Sequence, residues 1–140
     1  MADDAPNLEL KDLQLSIMRV LWARPGASVQ EIQTTLARSR SLAISTLTTV
    51  LTRLAERGIV RREKVGRQYR WHACVEESEV TGVLIDELTE RAFEGDATAL
   101  VSALLSHRDL GPDDLARVRK LLDEHEARHA ADADDDGGAR

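Results

Sequence analysis

A chain of 140 residues can hold one compact domain with a helical appendage and is short for an enzyme with a second domain. Hydrophobic residues make up 42% but aromatics only 3%, so the core must be Leu, Val, Ile and Ala, which suits packed helices. The net charge of −6 argues against a nucleic-acid partner only until the two halves are separated. Through Val75, twelve bases meet seven acids; from Glu76 onward, seven bases meet eighteen acids. Nine of the bases lie between Arg38 and Arg70 beside only Glu56 and Glu63, which points to a polyanion partner for the first half. No apolar run approaches the ~20 residues that span a bilayer, and the acidic start "MADDAPN" lacks the layout of a signal peptide, so a cytoplasmic protein is expected. Cys74 stands alone, which rules out an intramolecular disulfide and a four-thiolate metal site and fits a reducing compartment.

The first helix is predicted from about Lys11 to Trp22, with Leu13, Ile17, Val20 and Leu21 at core spacing. Pro25 and Gly26 punctuate the following turn. Ser28 and Glu31 then form an S-x-x-E capping box that opens a second helix with Val29, Ile32 and Leu36 inward. A third helix runs from about Ala43 towards Gly58, which sits where a left-handed C-terminal cap is expected. Next, Ile59 to Lys64 and Gln68 to Ala73 read as two short strands around a turn at Val65, Gly66 and Arg67. From Glu76 the helical period returns in "EESEVTGVLIDELTERAF", "ALVSALLSH" and "LGPDDLARVRKLLDEHEARHA", the last with Pro112 at a first helical position and Leu115, Val118, Leu121 and Leu122 as a seam. The tail "ADADDDGGAR" has no apolar anchor and is expected to be disordered.

The third helix carries the functional signal. Winding it at about 100° per residue puts Ala43, Ile44, Leu47, Val50, Leu51 and Leu54 on one face and Ser45, Thr49, Thr52, Arg53 and Glu56 on the other, with Thr46 and Thr48 at the edges. Threonine is a mediocre helix former, so a polar face chosen for solubility would use Glu, Lys and Gln instead. Short hydroxyl side chains let a helix backbone approach base edges, bond bases and phosphates, and offer a methyl to thymine, while Arg is the commonest partner of guanine. That assigns Ser45, Thr46 and Thr49 to bases and Arg53 to a base or phosphate. In the hairpin, Arg61, Arg62, Lys64 and Arg67 lie on or near the tip, where they suit phosphates or the minor groove. Helix, helix, recognition helix and basic hairpin together make a winged helix-turn-helix, mainly α with a small antiparallel β-hairpin. A winged helix used for protein contacts is the competing reading.

The chain closely resembles the BlaI/MecI/CopY family of bacterial repressors. The resemblance lies in "LQLSIMRVLW", "SVQEI", "STLTTVLTRLAERGIVRREKVGRQY", "VEES" and "ALVSALLSHRDLGPDDLARVRKLLDE", and covers nearly all of residues 8–126. It implies a homodimer in which residues 1–75 bind double-stranded DNA, residues 76–130 dimerise, and 131–140 form the acidic tail. It also implies palindromic operators with TACA and TGTA half-sites that overlap a promoter and block transcription. The matching positions are Thr46, Thr49 and Arg53 in the recognition helix and Arg67 in the wing; Ser45 falls where relatives often carry a longer residue. The C-terminal helices also show more apolar seam than a short chain can bury alone, an independent argument for the dimer.

The resemblance further implies release by a sensor protease or another inducing partner. Resistance members are cut at an Asn-Phe bond, and the matching bond here is Ala103-Leu104. Copper-responsive members carry a cysteine-rich C-terminal motif, where this chain has an acidic, cysteine-free tail.

Residues 125–129 read "HEARH", a literal H-E-x-x-H, yet no third ligand is in view and only the acidic tail follows. A solvated helix end is expected, with neither catalysis, resident metal nor cofactor. Cys74 is expected to pack as a small hydrophobe, and His72 and His107 have no evident partner.

Overall fold

The computed structural model describes residues 7–137. In chain order they form α1 (Asp12–Ala23), α2 (Val29–Leu36), α3 (Ile44–Glu56), β1 (Val60–Val65), β2 (Gln68–Ala73), α4 (Glu77–Phe93), α5 (Ala97–His107) and α6 (Pro112–Gly137). Each element matches one expected from the hydrophobic period, with ends shifted by a residue or two except at the C-terminal end of α6, and β1 pairs antiparallel with β2. The chain divides into two compact units, the first ending at Ala92 and the second starting at Phe93. Among the described residues no helix is long and apolar enough to cross a membrane.

The first unit is built around one core. Ile17, Met18 and Leu21 of α1 meet Ile32 of α2, Leu47, Leu51 and Leu54 of α3, and Trp71 of β2, all essentially inaccessible. Ser28 caps α2, its hydroxyl accepting the Glu31 N–H at 3.2 Å. Because Ser28 is itself buried, Ser28→Ala leaves that amide without an acceptor. Denaturant unfolding is expected to register a loss of about 1 kcal/mol. Gly58, at φ +76°, ends α3 in the left-handed conformation that glycine adopts without strain.

The hairpin turns over Gly66 and Arg67 between the paired residues Val65 and Gln68. It is fastened to the helices by backbone rather than by side chains alone. Gly26 N–H donates to the Trp71 carbonyl at 3.0 Å, Trp71 N–H donates to the Ala27 carbonyl at 3.0 Å, and the Arg70 guanidinium donates to the Gly26 carbonyl at 3.1 Å. The turn before α2 thus acts as a short third strand beside β2. Where the chain leaves β2, the Trp22 indole donates to the Val75 carbonyl at 2.9 Å. Val80 of α4 is fully buried in the same core and Leu84 packs against it. Helix α4 as far as Ala92, which the sequence reading assigns to the C-terminal region from residue 76, therefore falls in the first compact unit.

The second unit has a different character. Asp96 caps α5 by accepting the Ala99 N–H at 3.1 Å, and Asp114 accepts the Gly111 N–H at 3.3 Å where α6 begins. Yet no described residue of α5 or α6 is buried, and Leu121 is 60% exposed. The tail expected to be disordered is helical as far as Gly137, and residues 138–140 lie outside the described part. Ala130, Ala131 and Ala133 supply the reason, since alanine is the strongest helix former and needs no tertiary anchor.

Candidate nucleic-acid interface

In α3, every third or fourth residue is committed to the core through Leu47, Leu51 and Leu54, which leaves Ser45, Thr46, Thr49 and Arg53 exposed on the opposite side. Three hydroxyl protons on this helix are spent on the helix itself. Thr48 donates to the Ile44 carbonyl at 2.8 Å, Thr49 to the Ser45 carbonyl at 2.9 Å and Thr52 to the Thr48 carbonyl at 2.8 Å. What Thr49 offers outward is then a methyl group and acceptor lone pairs, which suit a thymine methyl or a base amino group. One turn on, the Arg53 guanidinium makes no ion pair or hydrogen bond among the described residues. It is a free fork of donors.

The wing separates its cations by strand period. Arg62 stands opposite Trp71 and Lys64 opposite Tyr69 on one face; Arg61 stands opposite His72 on the other. On that second face Glu63 approaches His72 with Oε2 to Nε2 at 3.2 Å, so Arg61 shares its surroundings with an acid. Arg62 is held over the Tyr69 ring, its guanidinium carbon 4.4 Å from the centroid. Arg61, Arg62, Lys64 and Arg67 are all exposed, but of these only Arg62 and Arg67 line a groove with α3. They line a groove of about 270 Å³ with Thr48 of α3, Gln30 of α2 and Tyr69, and no carboxylate lines it.

Sequence reasoning missed Gln30 and Tyr69. Tyr69 could have been found, because the two-residue turn fixes a register that puts it diagonally across from Arg62. Gln30 could not, since its place beside the wing depends on the backbone bridge between Ala27 and Trp71. Conversely, Arg57 belongs to the basic surplus but faces inward chemistry: its guanidinium donates to the carbonyls of Asn7 and Glu9 at 2.6 and 2.7 Å.

The Penicillinase repressor family model matches residues 10–124. The chain belongs to the penicillinase repressor family. The Transcriptional regulator BlaI of Mycobacterium tuberculosis is 30% identical over 122 residues, covering 86% of this chain and 87% of that protein. The Penicillinase repressor of Bacillus licheniformis is 23% identical over 120 residues, covering 86% and 94%. The solution structure of the DNA-binding domain of the repressor BlaI is similar at 24% identity, with a TM-score of 0.47 over 54% of this chain and 93% of that one.

In this penicillinase repressor family member the remaining reactive residues are not among those that line the wing groove. Cys74 is exposed, contrary to the expectation that it packs as a hydrophobe. Its N–H donates to the Ile59 carbonyl at 2.8 Å, which continues the ladder beyond β2 while the thiol faces outward. His72 has a partner after all, the Glu63 carboxylate across the hairpin. His107 is exposed. His125 and His129 sit edge to face with centroids 5.1 Å apart on α6, and no cluster of three metal-ligating residues occurs among the described residues.

Proposed function

We propose that the protein is a transcriptional repressor that binds duplex DNA in a sequence-specific manner as a homodimer in the cytoplasm. The observation that carries this reading is the exposed hydroxyl and arginine face of α3 standing beside an acid-free basic groove in the wing. Membership of the penicillinase repressor family, and relatives named as repressors and regulators, support it. Ser45, Thr46 and Thr49 read base edges in the major groove, Arg53 reaches a guanine or a phosphate, and Arg61, Arg62, Lys64 and Arg67 hold the backbone or the neighbouring minor groove. The operator is two-fold symmetric with TACA and TGTA-like half-sites, and its occupation blocks transcription from an overlapping promoter.

Residues 76–130 supply the dimer. A pair of helices in which no described residue is buried cannot be stable on its own surface, whereas a second copy covers the same apolar stripe by symmetry. The acidic second half repels DNA and so confines binding to the first. An inducing partner, of which a sensor protease is one form, releases the operator. The bond between Ala103 and Leu104 lies within α5, so cleavage there needs local unwinding first.

Selection of bound fragments from a random duplex library at near-physiological salt tests the proposal. Enrichment of a two-fold symmetric site is the expected result. No enriched site from a verified folded dimer would replace it with a protein-interaction module. The phosphate contacts make a second check available. Arg67→Ala is expected to lower affinity alike for all sequences and to reduce the slope of log K against log salt by about one per protomer.

A further inference from the structure

Helix α6 changes character halfway along. Its apolar seam ends at Leu122, and from Asp123 to Asp135 every residue is exposed and the only apolar ones are alanines. Two imidazoles stand in that stretch, His125 and His129, four residues apart and so on one face of the helix. Their ring centroids are 5.1 Å apart. Neither ring makes a hydrogen bond or ion pair among the described residues, whereas His72 on the hairpin does.

That separation is the one a chelate requires. With zinc–nitrogen bonds of about 2.0–2.1 Å an ion stands roughly 3.2 Å from the centre of each ring it binds, and two rings at the tetrahedral angle have centres about 5.2 Å apart. Turning either ring about its Cβ–Cγ bond swings a nitrogen towards the shared point and leaves the ring centre nearly in place. No backbone movement is needed. The surroundings favour a cation as well, since residues 123–135 hold six carboxylates against one base, Arg128. The donor type selects its class: calcium and magnesium take oxygen ligands, whereas imidazole suits zinc, copper and nickel.

We propose that His125 and His129 form a bidentate site for a divalent transition-metal ion of the zinc class, with water in the remaining positions, and that the bound ion clamps the last turns of α6. No third protein ligand converges among the described residues, so the pair binds a metal without being a hydrolytic centre, despite the H-E-x-x-H spelling. The clamp follows from mass action. An ion that needs both imidazoles on one face binds the helical form and not the frayed one, and this turn has no large apolar side chain to anchor it. The repressor reading neither requires the site nor depends on it.

Zinc chloride titrated calorimetrically into the full-length protein, in the presence and absence of calcium chloride, is the first test. Saturable binding of one zinc ion per chain, undisturbed by calcium, is expected. His129→Ala is expected to weaken it at least about tenfold, because one arm of the chelate is gone. His129→Ala combined with Ala130→His keeps the number of histidines and carboxylates but moves the second ring off the shared face, and is expected to bind as weakly as the single variant. Both changes fall at exposed positions and leave Cys74, His72 and Glu63 in place, so any zinc held there stays constant. Amide exchange over residues 129–133 is expected to slow about tenfold when free zinc is at ten times its Kd. No saturable zinc binding, or an affinity unchanged in both variants, would overturn the site and leave the tail carboxylates as the cation's only hold. Parental affinity in the double variant would do the same, since histidine number rather than spacing would then decide. Binding at the pair without slowed exchange would overturn the clamp.

Discussion

Arg53→Ala is expected to lose about 1–3 kcal/mol at each half-site while the dimer and the unfolding midpoint stay as in the parent. The side chain is exposed and makes no ion pair among the described residues, so its removal costs the folded protein nothing that a neighbour must replace. Both copies carry the change, which makes the combined effect on a two-fold operator about twice that figure if the half-sites act independently. Gel-shift or anisotropy titration against the selected operator measures it, and a scrambled duplex separates a base contact from a phosphate contact. A loss confined to the operator assigns Arg53 to a base; an equal loss on both assigns it to the backbone. Thr49 refines the picture. Its hydroxyl proton already serves the Ser45 carbonyl, so Thr49→Ser keeps the acceptor and drops the methyl, whereas Thr49→Val keeps the methyl and drops the acceptor. Whichever variant loses affinity names the base feature being read. Unchanged operator affinity in Arg53→Ala and both Thr49 variants would remove this face from the interface.

Leu121→Glu is expected to break the dimer, weakening self-association by about 3 kcal/mol or more, over a hundredfold in Kd. Leu121 lies with Val101, Leu104, Leu105 and Leu122 along an apolar cleft of α5 and α6, and it is 60% exposed. In an isolated subunit a carboxylate there meets water and costs little. Across a symmetric interface the two copies would together bury two such carboxylates, one from each, among the leucines and valines that line the cleft beside Arg108 and Arg128. Sedimentation at graded concentration measures the effect, with circular dichroism as the check that the helices persist. The operator should then bind as independent half-sites and lose the gain from linking them. A variant that remains dimeric would move the interface away from these two helices.

The hydrophobic period located the helices because each carries apolar residues at helical spacing, as in Leu47, Leu51 and Leu54 of α3, whereas β1, with four charged residues in a row, was legible mainly from its place before the Gly66 turn and β2. The hairpin was legible but its turn was read one residue too long, since Val65 pairs with Gln68 and leaves only Gly66 and Arg67 between the strands. What could not be read were contacts between residues far apart in sequence. The placing of Gln30 beside Arg62 depends on the bridge from Ala27 to Trp71, and the use of Arg57 depends on carbonyls of Asn7 and Glu9 almost fifty residues earlier. Local charge counting scored Arg57 with the other bases for that reason. It also treated the wing cations as one group, though strand alternation divides them and sets Arg61 beside Glu63. The helical tail was missed for a different cause, since absence of an anchor says nothing against a helix carried on from α6 through Ala130, Ala131 and Ala133.

The backbone bridge between Ala27 and Trp71 has a consequence for how sequence is discriminated. It ties the start of α2 to the wing through two backbone hydrogen bonds, so under the proposed docking the spacing between them is held like the jaws of a caliper. Fitting must then be done by the DNA, at an elastic cost that depends on local groove width and step flexibility. Under the proposed docking, base pairs that no side chain touches will still affect affinity, with stiff or easily narrowed tracts between the half-sites setting the ranking among operators.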